Sequence, residues 1–82
     1  MPVSGVVISC LPGRTDDVAA IVLNIDQLEI HHRLESGKLV AVLETATVED
    51  EVAIVKEIMQ VDGVMDVRLA YHNFEDLQEL QI

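Results

Sequence analysis

The sequence predicts an α+β fold: one four-stranded antiparallel sheet with two helices packed on one of its faces. Three observations carry that prediction. Apolar residues recur with a period of two in some stretches and with helical spacing in others. Glycine- and proline-bearing turn signals separate the stretches. Their order is strand, helix, strand, strand, helix, strand, the split βαβ pattern.

Each element can be justified in turn. SGVVISCL is β-rich, so Val3 to Leu11 reads as a strand, and Pro12-Gly13 ends it. Thr15 then stands as an N-cap before Asp16 and Asp17, whose carboxylates suit the positive end of a helix. Val18, Ile21, Val22 and Ile25 follow with helical spacing and predict a helix over Asp16 to Ile25. QLEIHHRL alternates, and Ser36-Gly37 predicts a two-residue hairpin turn with Glu35 and Lys38 paired across it. KLVAVLET is the return strand. Thr47 caps a second helix with Glu49 and Asp50 in its first turn and Val48, Val52, Val55, Ile58 and Met59 as its apolar set. Asp62-Gly63 turns the chain into a fourth strand, Val64 to His72. Right-handed crossovers then place both helices on one face, with strand order four, one, three, two. This is a ferredoxin-like arrangement over residues 1–72, followed by an acidic tail, residues 73–82, with the spacing of a short helix. Tyr71 is expected to close one end of the core, and Phe74 to anchor the tail.

The bulk numbers bound the function. With 82 residues, a single domain is expected. Half the residues are hydrophobic, so the chain is not of the disordered class. The core must be aliphatic, because Trp is absent and Tyr and Phe occur once each. Five basic residues against fifteen acidic ones give a net charge of −10. That balance argues against nucleic acid and anionic membranes as partners and favours a basic one. Acidic charge also keeps a small protein soluble, which would suffice to explain it. One cysteine, Cys10, permits no intramolecular disulfide and reads as a small core residue of a protein in a reducing compartment. The N-terminal apolar run lacks a basic segment before it, and no run approaches the roughly 20 residues needed to span a bilayer. A cytoplasmic location is expected.

The hairpin sets the register. With Ser36-Gly37 as the turn, Leu34, His32 and Ile30 oppose Leu39, Ala41 and Leu43, and this set goes under the helices. Arg33 then opposes Val40, His31 opposes Val42, and Glu29 opposes Glu44. On the fourth strand Val67, Leu69 and Tyr71 are core, leaving Asp66, Arg68, Ala70 and His72 on the open face. Val7 and Ser9 point outward on the first strand. The open face thus has an apolar centre of Val7, Val40, Val42 and Ala70, bordered by His31, Arg33, Arg68 and His72, which is the anatomy of a binding patch. Valine suits any central strand, so strand propensity would produce the same pattern. A one-residue slip would exchange the faces.

Catalytic chemistry finds little support. His31 and His32 are strand neighbours and should point to opposite faces. His31 and His72 would lie on opposite edge strands, ~14 Å apart, too far to share an ion. No metal site, cofactor or enzymatic activity is expected. Cys10 is placed wrongly for a nucleophile, and no phosphate-binding or nucleophile-elbow motif occurs. Glu44 closes an apolar central strand; it either marks the strand end or receives a basic group from a partner.

SGVVIS, LEIHHRLESGKLVAVLE and VDGVMDVRLAYH resemble the signature blocks of the NapD family, the assembly chaperones of the periplasmic nitrate reductase. The resemblance runs from Ser4 to His72 and is most specific at Gly37 to Glu44 and Gly63 to His72. Ile25-Asp26-Gln27 departs from the Pro-Gly turn that family members often carry there. The resemblance implies a ferredoxin-like, non-enzymatic cytoplasmic protein that binds the twin-arginine signal peptide of the catalytic subunit at its sheet surface. It implies that export is delayed until the molybdenum cofactor is loaded. The candidate peptide-binding residues are Val7, Ser9, His31, Arg33, Val40, Val42, Glu44, Asp66, Arg68, Ala70 and His72. An ACT-like regulatory domain binding a small molecule is the alternative, since it shares the element order and the G-V-x-x-V stretch.

Overall fold

A computed structural model describes residues 3–71 of the chain, with side chains through Leu69. The elements are β1 (Val3–Cys10), α1 (Thr15–Val22), β2 (Leu28–Leu34), β3 (Lys38–Glu44), α2 (Val48–Met59) and β4 (Val64–Tyr71). All strand pairs are antiparallel, in the order β2-β3-β1-β4. This is the ferredoxin-like arrangement that the element order predicts. The expected acidic tail and the anchoring of Phe74 lie outside the described residues.

The core lies between the helices and one face of the sheet. Val6 and Ile8 of β1 and Leu39, Ala41 and Leu43 of β3 are fully buried there, against Val18 and Val22 of α1 and Ile58 of α2. Alternation along the two central strands produces this directly, because one face must lose its water. Cys10 is buried with them, as expected of a small core residue. Burial pushes the Cys10 thiol pKa up, with a Thr15 hydrogen bond and the Arg33 charge opposing it.

The two helices start differently. Thr47 is the N-cap of α2, and its Oγ1 accepts a hydrogen bond from the Asp50 amide at 3.0 Å. Such a cap stabilises by about 1 kcal/mol. Thr15, expected to cap α1, is instead its first helical residue; the cap position is Arg14 and makes no side-chain cap bond. Arg14 rather ties the helix start to its surroundings, donating to Asp17 at 3.0 Å and to Asp62 at 2.9 Å. Helix α1 also ends at Val22 and not at Ile25. Asn24 and Ile25 bond back to Ile21 and Val22 at 3.1 and 3.0 Å, tightening the exit into i→i+3 turns.

Helix α2 buries only part of its expected apolar set: Ile58 is fully buried and Val55 packs half-buried against the core. Glu51, Ile54 and Ile58 face the sheet, whereas Val48, Val52 and Met59 are 57%, 42% and 50% exposed. Each residue step turns a helix by about 100°, so Val52 cannot share the line of Glu51. The buried Glu51 is met by Ser4 of β1, whose hydroxyl donates to its carboxylate at 2.6 Å. Gly63, between α2 and β4, has φ +99°, and a Cβ there would come within 3.0 Å of Val18 Cγ2. Only glycine fits that turn.

Candidate functional site

Among the described residues, no helix covers the second face of the sheet. Pairing puts Val3, Gly5, Val7 and Ser9 of β1 on that face, opposite Glu44, Val42, Val40 and Lys38 of β3. On β4, Asp66 opposes Ser9 and Arg68 opposes Val7. The three valines at its centre, Val7, Val40 and Val42, are each half-buried by their neighbours alone. Arg68 donates to Asp66 at 2.9 Å, so these two form an exposed pair at the β4 edge.

The hairpin differs from its expected register at two places. Its loop has three residues, Glu35 to Gly37, because Leu34 pairs with Lys38. The Gly37 amide bonds the Leu34 carbonyl at 3.0 Å, and Gly37 has φ +91°. A turn followed by a left-handed glycine is the usual three-residue solution, and it replaces the expected two-residue turn and its Glu35–Lys38 pair. The second departure is a bulge between Ile30 and His32 that leaves His31 without an opposite residue. Each departure shifts the pairing by one. Between them, at His32 to Leu34, the faces are therefore inverted; beyond the bulge they return to the expected set.

The inversion corrects three placements. His32 opposes Val40 and Leu34 opposes Lys38, so both belong to the open face and not under the helices. Arg33 opposes Leu39, on the helix side, where its guanidinium bonds Asp16 of α1. The expectation that Arg33 borders the open face is thus wrong, and so is the expectation that His31 and His32 point to opposite faces.

A cleft of ≈ 540 Å³ opens at the Glu44 end of the sheet, lined in part by Val3, Asp26, Glu29, His31, Val42 and Glu44. His31 Nε2 lies 3.7 Å from Glu29 Oε1. Carboxylates from the loop before β2, from β2 itself and from the end of β3 thus surround an apolar floor. Sequence reasoning marked Glu44 but passed over Asp26 and Val3. Val3 was legible from its two-residue spacing through Gly5 to Val7; Asp26 was not, because a loop residue has no periodicity.

On β4, bulges near Met65 and Ala70 also shift register, and Tyr71 opposes Gly5 where continuous pairing would give Ser4. The expected roles of the Ala70, Tyr71 and His72 side chains lie outside the described residues. Among the described residues, no three His, Cys, Asp or Glu side chains are grouped to hold a metal ion. No helix there is long and apolar enough to cross a membrane.

A comparison with curated proteins returned no significant match. Among solved structures, the chain is similar to the solution structure of the E. coli Tat proofreading chaperone protein NapD. The two share 25% sequence identity and a TM-score of 0.79, and the match covers 87% of this chain and 76% of that one. The NapD protein family model matches residues 1–76, which includes every strand, both helices and the open face they frame. By that match and the shared fold, the chain belongs to the NapD family.

Proposed function

We propose that this protein is a cytoplasmic chaperone for the catalytic subunit of a periplasmic nitrate reductase. It binds the subunit's twin-arginine signal peptide and delays export until the cofactor is loaded. Family membership and the likeness to a Tat proofreading chaperone support the reading. The observation that carries it is the sheet face that neither α1 nor α2 covers, with half-buried Val7, Val40 and Val42 beside the carboxylates of one cleft. A twin-arginine signal has a basic segment followed by an apolar one, so it needs both. The net charge of −10 speeds encounter with a cationic peptide, and apolar contact sets its residence.

Titration calorimetry with a twin-arginine peptide tests this. Val40 lies away from the cleft carboxylates, so in Val40→Asp a new charge interrupts the apolar floor without enlarging the acidic cluster. Affinity should fall about tenfold or more, roughly 1.4 kcal/mol. Unchanged affinity in a folded variant would remove the valine floor from the binding site.

A further inference from the structure

We infer that the open face holds its peptide in one direction, with the cationic segment at the Glu44 end and the apolar segment running along β3 toward Lys38. This rests on the peptide-binding reading above and adds an orientation to it.

The two ends of the face differ in charge. Asp26, Glu29 and Glu44 gather around the cleft at one end, where the His31 imidazole lies near Glu29. At the other end Lys38 is exposed, and the one carboxylate on that row, Asp66, already accepts from Arg68 at 2.9 Å. Guanidinium groups are therefore drawn to the first end and repelled at the second. Apolar surface has the complementary distribution. Val42 floors the cleft, Val40 and Val7 form the next row, and Leu34, which the three-residue loop sets opposite Lys38 on this face, is 44% exposed.

Length agrees with this direction. Glu44 to Lys38 spans about 20 Å of strand. A helix covers that distance in about 13 residues, within the usual length of about 7–15 for the apolar segment of an export signal. A cationic pair in the cleft thus leaves the apolar segment on the valines and Leu34. The reverse placement sets the cationic pair against Lys38 and apolar residues against three carboxylates.

Paramagnetic labelling reads the direction. The probe is a synthetic peptide of two adjacent arginines followed by an apolar helix-forming segment, with a nitroxide at either end, added to the isotope-labelled protein. A label at the arginine end should broaden the amides of Gln27, Glu29 and Glu44 and spare those of Ser9, Leu34 and Lys38. A label at the apolar end should do the opposite. The reversed pattern, or equal broadening at both ends from either label, overturns the direction and leaves peptide binding standing. Saturable shifts confined to α1 and α2, or no binding, overturn both. As an independent arm, Glu29→Gln with Glu44→Gln should weaken binding about tenfold, whereas Lys38→Gln should leave it unchanged or tighter; equal losses from both would also count against the direction.

Discussion

Strand β3 pairs with β1 on one side and β2 on the other, and the two ladders obey different rules. With β1 it makes seven consecutive pairs without a break. With β2 the ladder contains a bulge, and the loop that closes it is one residue longer than expected. Burial explains the contrast. Every second residue of β1 and β3 sits in a core without water, so a slip of one residue would expose Ile8 or Leu39 and bury Lys38. Beyond Ile30, β2 has exposed residues at each position to Leu34, and no such cost pins its register. Turn chemistry and the bulge decide there instead.

The largest expected effect separates the two ladders most directly. Removing His31 deletes the bulged residue and leaves the remaining pairs as they are, so the protein should stay folded within about 1 kcal/mol of its original stability. Removing Val40 turns half of β3 inside out and should abolish cooperative unfolding in urea. Similar outcomes for the two deletions would end the distinction. Next in size, Leu39→Ala empties a fully buried position and should cost about 2–5 kcal/mol. Leu34→Ala, at 44% exposure on β2, should stay within about 0.5 kcal/mol. Urea midpoints decide both.

A smaller effect sharpens the account of the loop. In Gly37→Ala the new Cβ meets nothing closer than the Cys10 carbonyl oxygen at 3.5 Å, so space is adequate. The left-handed backbone alone should cost about 1–2 kcal/mol. A neutral result would mean that the three-residue loop is not what sets the hairpin. The smallest effect concerns Arg33. Its pair with Asp16 is exposed, so Arg33→Gln should shift stability by about 0.5 kcal/mol or less, and less still in high salt. Peptide affinity should change little, because Arg33 stands on the helix side; a large loss would return it to the binding face.

Several parts of the site were legible from residues alone. Val7, Val40 and Val42 alternate with core residues on strands that have no freedom to slip, and the structure puts them on the open face. Asp66 and Arg68 follow for the same reason, two residues apart on β4. Arg33, His32 and Leu34 were misplaced together, because the hairpin loop has three residues and not two, and the bulge at His31 restores the expected faces only beyond them. Helix α2 shows the same limit in another form. Val48, Val52 and Met59 look like a core stripe, yet the line through Ile54 and Ile58 packs on the sheet and takes Glu51 with it, because Ser4 supplies the carboxylate with a donor.

The sequence by itself determined the order of elements, the alternation of the two central strands, the Thr47 cap and the existence of a valine-centred face turned away from α1 and α2. Each rests on a local period or on a single side chain next to the backbone it bonds. Only the tertiary structure decided which way the end of β2 faces, which stripe of α2 is buried, and that Asp26, Glu29 and Glu44 share one cleft with Val42. Those depend on groups far apart in the chain meeting at one place. At an exposed edge, where little burial energy opposes a one-residue shift, no local pattern can foretell the outcome.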